Sequence, residues 1–146
     1  MTSSIFLDLN VWVALSLRAH EHNEIAWKWY RSLRAEEAPA FCRLTQMGLL
    51  RLLTTESVAK HETLSQVQAW AVYDGWISNG GCTFLEEPFG IDTELRFYAD
   101  RKTPSPREWG DSYVVAFAAA ASLPLVTFDK GLSQRYARSI LLPTAD

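Results

Sequence analysis

The chain lacks the features of a secreted, membrane-bound or zinc-binding protein. Its 146 residues include two cysteines, Cys42 and Cys82, which lie far apart and match no metal-ligand spacing. No apolar run approaches the roughly 20 residues needed to span a bilayer, and the N-terminus lacks the basic start of a secretory signal. We therefore expect a cytoplasmic protein with no membrane partner, in which both thiols are buried and reduced.

Positive charge is also scarce for a protein that would bind nucleic acid. The chain has 14 Lys and Arg residues against 17 Asp and Glu residues, which gives a net charge of −3. A nucleic-acid partner would therefore have to meet a local and weak basic patch. Five cations that lie near acidic residues in the sequence could contact nucleic-acid phosphates, although an ordinary surface charge is the simpler interpretation of each. These are Arg43, Arg51, Arg107, Lys130 and Arg135.

Apolar residues are abundant enough to build one core. They make up 48% of the sequence, and this length predicts a single domain over residues 1–146. Short apolar strands alternate with helical segments, which predicts an α/β fold with a mainly parallel central sheet flanked by helices. The predicted strands are residues 5–9, 40–42, 82–85, 125–127 and 140–142.

Helices are predicted between these strands from apolar spacing and capping signals. Ser105-Pro106-Arg107-Glu108 reads as a capping box, so a helix is expected over residues 105–121, with Asp111 in its second turn. Thr45 is expected to cap a Leu-rich helix and Asp92 to cap a later one. The other predicted helices are residues 11–17, 22–33, 65–78 and 91–99.

Three aspartates stand where a parallel sheet would bring them together. Asp8 ends one apolar run, Asp129 ends another, and Asp111 lies near a helix start. Ligands of such sheets collect at the carboxyl ends of the strands. Three carboxylates within about 5 Å would repel by roughly 3 kcal/mol per pair at an effective dielectric of about 20, so they must take up protons or a cation. Oxygen ligands without His or Cys favour Mg²⁺ or Mn²⁺ over Zn²⁺.

Each of these acids also has a structural interpretation. Asp8 could cap the following helix, but Asn10 is better placed for that task, so a functional Asp8 is favoured. Asp111 could simply complement the positive end of its helix dipole, and Asp129 could cap the turn that follows it. Taken singly, neither of the last two residues distinguishes these possibilities.

Four segments in this order resemble PIN-domain ribonucleases, and within them the VapC toxins of bacterial VapBC toxin–antitoxin pairs. The segments are residues 6–15, 44–54, 109–113 and 125–129. The resemblance implies a PIN-like fold and Mg²⁺- or Mn²⁺-dependent endonucleolytic cleavage of RNA by a metal-activated water. It also implies inhibition by a cognate antitoxin and a tendency to form homodimers.

The resemblance assigns Asp8, Asp111 and Asp129 to the acidic metal-binding and catalytic positions, and Thr127 to a hydroxyl position beside them. The chain departs from the pattern at Gly48, where many members carry Glu. This departure removes a fourth carboxylate and leaves open whether one or two metals bind. Gln46 is expected either to support the site through its amide oxygen or to be a solvated residue of the first helical turn.

Two other functions remain open from the residues alone. The chain could be a non-catalytic PIN-like module that binds RNA or protein, with structural acids. A phosphotransfer enzyme using Asp8 as nucleophile would be expected to carry a second aspartate at position 10, where Asn10 stands. The aromatic helix with Trp70, Tyr73 and Trp76 predicts either core packing or a dimer interface.

Overall fold

A five-stranded, entirely parallel sheet forms the centre of the protein. The structure is a computed structural model and describes residues 2–144. The strands lie in the order β3-β2-β1-β4-β5. They are β1 (Ser3–Leu7), β2 (Glu37–Phe41), β3 (Thr83–Phe84), β4 (Leu125–Thr127) and β5 (Ser139–Leu141). The prediction of an α/β fold with a parallel sheet is therefore confirmed.

The strand order reverses beside β1. The chain builds outward from β1 to β2 and β3, then returns to add β4 on the opposite side, where Phe6 lies in register with Leu125. Because all strands run the same way, their carboxyl ends meet at one edge. The crevice between β1 and β4 at that edge is the topological switch point where sheets of this kind bind ligands.

Helices cover both faces of the sheet. They are α1 (Leu9–Ser16), α2 (Asn23–Arg31), α3 (Arg43–Leu53), α4 (Glu56–Ala59), α5 (Gln66–Ser78), α6 (Ile91–Tyr98), α7 (Glu108–Ala120) and α8 (Lys130–Ser133), with a 3₁₀ turn at Lys60–Glu62. Among residues 2–144, no helix is both long and apolar enough to cross a bilayer.

The two faces of the sheet carry separate cores because strand side chains alternate. Ile5 and Leu7 pack with helices α1, α2, α3 and α5. Phe6 points to the opposite face, where it stacks on Phe117 of α7 with ring centroids 4.6 Å apart. Helices α6 and α8 also pack on this second face.

The aromatic residues of α5 divide between the two predicted roles. Tyr73 and Trp76 are buried in the first core, whereas Trp70 is 46% exposed. Core packing therefore explains the first two residues and leaves Trp70 available for an interface. The two thiols, Cys42 and Cys82, are free and buried as predicted.

Two predicted helix caps are wrong. Helix α3 begins at Arg43, so Thr45 is its third residue, and the Thr45 hydroxyl accepts a hydrogen bond from the Cys42 N–H at 3.0 Å. Asp92 is the second residue of α6, not its cap. Its carboxylate instead accepts from Arg96 Nε at 2.7 Å, one helical turn later.

The predicted capping box at Ser105 is also absent. Helix α7 begins at Glu108, and the Ser105 hydroxyl donates to the Thr103 carbonyl at 3.3 Å. The reason is a competing ion pair, because the Glu108 carboxylate binds the Arg101 guanidinium. Asp111 therefore lies in the first turn of α7 rather than the second.

Candidate active site

Asp8 lies directly after β1, at the switch point of the sheet. Its Oδ1 accepts from the Leu9 N–H at 2.8 Å, and its Oδ2 accepts from the Thr127 hydroxyl at 2.7 Å. The residue is only 8% exposed. This burial raises the pKa of Asp8 to about 6, with smaller contributions from Asp111 and Asp129, and its two hydrogen bonds oppose the rise.

The prediction that Asn10 is better placed than Asp8 to cap α1 is wrong. Asp8 is itself the N-cap of α1, so the capping and functional interpretations do not exclude each other. Asn10 lies inside the first turn of α1. Its Oδ1 accepts from the Phe128 N–H at 3.3 Å, and its Nδ2 donates to the Thr127 hydroxyl at 3.4 Å. The sequence signal for the bridge from α1 to Thr127 and Phe128 is a polar residue, Asn10, in the first turn of a mostly apolar helix.

Thr127, the last residue of β4, orients the Asp8 carboxylate. Its hydroxyl oxygen accepts from the Asp129 N–H at 2.9 Å and from the Asn10 amide. A hydroxyl has one proton and two acceptor positions. Since both acceptor positions are filled, the proton points to Asp8 Oδ2 and favours the ionised carboxylate. The structure therefore places Thr127 beside Asp8, as the resemblance implied.

Asp111 reaches the same edge of the sheet from α7. This helix leads into β4 and runs opposite to the strands, so its N-terminal turn lies at their carboxyl ends. Burial is the main cause that raises the pKa of Asp111; Asp129 raises it further and Arg135 lowers it. Arg135 is held in place by bonds of 2.8 Å to the Tyr98 carbonyl and to the Ser112 hydroxyl. This anchoring explains Arg135 without an RNA contact.

Asp129 is the most exposed of the three acids. It caps α8, because its Oδ1 accepts from the Leu132 N–H at 3.1 Å. Its charge nevertheless raises the pKa of both Asp8 and Asp111, so the three carboxylates lie within electrostatic range of one another. Burial is nevertheless a larger cause than this repulsion at Asp8 and at Asp111.

Asp8 and Asp111 open into one cleft of about 390 Å³ between α3 and α7. Gly48 lines it, and a Cβ atom at that position would lie 2.7 Å from Leu9 Cδ2. The Leu9 side chain therefore fills the space that a larger residue at position 48 would need. Arg51 also lines the cleft, and its side chain is exposed.

Gln46 takes neither of its two expected roles. It is only 5% exposed, and its amide oxygen accepts from Arg43 Nη1 at 2.5 Å. Its side chain also bonds to Tyr73. Arg43 lies over the Phe84 ring at 4.7 Å from the centroid, so its guanidinium serves packing within the fold.

The available donors suit a hard cation. Asp8, Asp111 and Asp129 offer only oxygen atoms, the ligand type that Mg²⁺ and Mn²⁺ prefer. The raised pKa values of the first two show that negative charge is costly here and that a cation would relieve this cost. Within residues 2–144, no three or more His, Cys, Asp or Glu side chains are already grouped around one point as a metal site.

Comparison with known proteins gives one consistent result. The PIN domain family model matches residues 5–138. Ribonuclease VapC41 of Mycobacterium tuberculosis H37Rv is 34% identical over 134 residues, which cover 89% of this chain and 92% of that protein. Ribonuclease VapC29 of the same strain is 26% identical over 148 residues, covering 97% and 98%.

Solved structures agree in fold. VapBC2 from Rickettsia felis, bound to a promoter DNA fragment, superposes with a TM-score of 0.69 at 13% identity and covers 98% of this chain and 100% of that one. The sarcin-ricin-loop-cleaving toxin VapC20 of M. tuberculosis gives a TM-score of 0.66 at 14% identity, covering 89% and 93%. The chain therefore belongs to the PIN-domain family and, within it, to the VapC-type ribonucleases.

Proposed function

We propose that this chain is a metal-dependent endoribonuclease and the toxin of a type II toxin–antitoxin pair. The observation that carries the proposal is Asp8, a buried carboxylate at the switch point of the sheet whose pKa is raised to about 6. A carboxylate in a cleft whose pKa is strongly shifted is a common mark of a functional site. The membership in the VapC-type ribonucleases gives the reaction class.

Asp8, Asp111 and Asp129 would hold Mg²⁺ or Mn²⁺. Such an ion keeps several waters and often binds through only one or two carboxylates, so an open arrangement suits it. When bound, the ion would lower the pKa of a bound water so that hydroxide is available to attack, and it would neutralise charge on the phosphodiester. With Gly48 and Leu9 on the cleft wall, the chain offers no fourth carboxylate at that position, which favours a single ion.

The residues around Asp8 prepare it for this role. The Thr127 hydroxyl and the Leu9 N–H each donate to the carboxylate and hold its two oxygens in fixed directions. The charged form of Asp8 is the ligand, so its proton must leave when the cation binds. Activity should therefore fall as pH drops below about 6.

Arg51 is the cation best placed to contact the RNA. It lies on the cleft with Asp8 and Asp111, and its side chain is exposed. A guanidinium there would bind a phosphate that flanks the one held by the metal. Arg43 and Arg135 are already engaged within the fold, so they are poorer candidates.

The proposed partners are a cognate antitoxin and a second copy of the chain. Two of the similar structures are VapBC complexes, from Rickettsia felis and nontypeable Haemophilus influenzae. An antitoxin Arg or Lys entering the cleft would pair with Asp8 and Asp111 and exclude the cation. Trp70, which α5 leaves exposed, is the candidate dimer contact. A cytoplasmic location is part of the same proposal.

The decisive experiment is RNA cleavage by the purified protein. We expect cleavage with Mg²⁺ or Mn²⁺ that stops in EDTA. Asp8→Asn and Asp111→Asn should each remove most of the activity, because each removes a charged ligand and keeps the shape. Asp129→Asn should have a smaller effect, since this exposed residue can act through water. The matched control is Asp74→Asn, an exposed carboxylate on α5.

Two outcomes would contradict the proposal. Cleavage at the wild-type rate by both Asp8→Asn and Asp111→Asn would exclude catalysis at this site. RNA binding without cleavage under every metal condition would instead support the non-catalytic binding module. A trapped phosphoaspartate at Asp8 would point to phosphotransfer.

A further inference from the structure

Trp109 is an exposed indole that the proposed function does not use. It is 63% exposed, belongs to neither core, and makes no ring contact or hydrogen bond with another residue of the described range 2–144. By contrast, Trp12 and Trp76 are buried and contact each other with ring centroids 5.7 Å apart. An indole that contributes so little to packing is available to a ligand.

A cleft of about 330 Å³ lies beside this indole. It is formed by the α6–α7 loop and the first turns of α7, with Trp109, Arg101, Pro104 and Ser112 among its walls. The loop is restrained, because prolines limit its backbone and the Arg101–Glu108 ion pair ties it to α7. The cleft is therefore a formed feature of the surface, with the indole on one wall and the paired Arg101 and Glu108 on another.

The loop carries one cation that is not neutralised by an ion pair. Arg101 pairs with Glu108 and Lys102 pairs with Asp100, which leaves Arg107 as the third positive charge of the loop. The exposed Arg107 side chain makes no ion pair or hydrogen bond with another described residue. This charge complements a phosphate backbone, and the neighbouring indole complements the flat face of a base.

The cleft and the candidate active site lie on opposite sides of the first turns of α7. Ser112 lines the cleft and accepts from Arg135, whose charge acts on Asp111. Trp109 and Asp111 are two residues apart, and at about 100° per residue their side chains leave α7 on nearly opposite sides. A helix with its side chains is about 10–12 Å across. A base on Trp109 would therefore lie about one helix diameter from Asp111, and would belong to a different nucleotide from the one that is cleaved.

We propose that the cleft beside Trp109 binds an unpaired nucleobase of the RNA strand, stacked on the indole on the side of α7 opposite the phosphate held at Asp8 and Asp111. The proposal rests on the ribonuclease function and adds a subsite to it. The base would stack on the indole while Arg107 contacts an adjacent phosphate. The subsite would therefore select single-stranded RNA, because paired bases do not expose their faces.

Two RNA probes separate stacking from phosphate binding. One is a fluorescein-labelled single-stranded RNA dodecamer without self-complementarity, and the other is a dodecamer with the same ribose-phosphate backbone and no bases. Binding to the intact chain is measured by anisotropy in EDTA, where cleavage stops. The variants are Trp109→Ala, Trp109→Phe and the control Phe89→Ala, which removes an exposed aromatic ring that lines neither cleft.

Loss of a stacked base should weaken binding by about five- to 150-fold. We expect this loss for Trp109→Ala on the base-containing RNA alone, with Trp109→Phe retaining most of the affinity and Phe89→Ala unchanged. Equal losses on both RNAs, or none, would overturn the subsite. A loss of antitoxin binding without a loss of RNA binding would reassign the cleft to a protein partner.

The same samples test the ribonuclease function separately. Metal-dependent cleavage by wild-type protein together with no base-dependent role of Trp109 would refute the subsite alone. No cleavage and no binding of either RNA would refute the ribonuclease function itself. Circular dichroism and the melting temperature show whether Trp109→Ala folds, and the base-free RNA provides an internal reference for binding.

Discussion

Asp8→Asn should stabilise the metal-free protein at neutral pH and destabilise it in acid. In the folded protein the pKa of Asp8 is about 6, against its ordinary value of 3.8. The folded state therefore holds this proton more tightly than the unfolded state does. Below about pH 3.8 the ionisation costs nothing, and stability is lost as pH rises from there to about 6.

The magnitude follows from the two pKa values. Their separation, from 3.8 to about 6, corresponds to about 3 kcal/mol at about 1.36 kcal/mol per pH unit. The Asn variant avoids this cost. It has one acceptor oxygen for the two donors, Thr127 and Leu9, and so loses about 1 kcal/mol of hydrogen bonding. We expect the variant to be about 2 kcal/mol more stable above pH 7 and about 1 kcal/mol less stable near pH 3.

The measurement is urea unfolding in EDTA from about pH 3 to about pH 7.5. Comparing variant with wild type cancels the other titrating groups. Asp74→Asn, which removes an exposed carboxylate on α5, is the control for the loss of one negative charge. A flat difference for Asp8→Asn across this range would refute the claim that Asp8 is ionised at a cost. Saturating Mn²⁺ should reverse the order, since about 100 times the dissociation constant adds about 2.7 kcal/mol to the wild type alone.

Three further predictions concern the surroundings of Asp8 and Asp111. Thr127→Val should raise the pKa of Asp8, because the Thr127 hydrogen bond lowers it, and should move the acid limb of the cleavage pH profile to higher pH, whereas Thr127→Ser should not. Arg135→Met should lower the free energy of unfolding by about 1–3 kcal/mol, since it leaves the Tyr98 carbonyl and the Ser112 hydroxyl without this donor; no change in urea unfolding would contradict it. Saturating cognate antitoxin should block Mn²⁺ binding and cleavage together, as calorimetry and cleavage assays can check, and unchanged Mn²⁺ binding would exclude inhibition at the acidic cleft.

The fold could be predicted from short stretches of sequence, because burial requires apolar side chains at the regular spacing of a strand or a helix. Residues 5–7 and 125–126 are apolar throughout, as strands covered on both faces must be. The order of strands and helices then implied that Asp8 and Asp129 follow strands, and thus lie at one edge. The role of these acids as metal ligands stays a prediction, as does the single domain over residues 1–146.

Only the tertiary structure decided how individual polar groups are used. Ser105 and Glu108 match a capping box by spacing, but Arg101, seven residues earlier than Glu108, takes the carboxylate. Asn10 and Thr127 are 117 residues apart, and no local rule pairs them. A hydrogen bond forms with whichever partner the fold brings near, and spacing along the chain reports only the local candidates.

The properties of Asp8 are likewise determined partly by the sequence and partly by the tertiary structure. The sequence alone determined that a carboxylate ends the first strand, and with it the preference for a hard cation. The structure decided that burial, more than repulsion from Asp111 and Asp129, makes its charge costly. Burial depends on every segment that packs around a residue, here β1, β4 and α3, whereas chemical identity is a property of the residue itself.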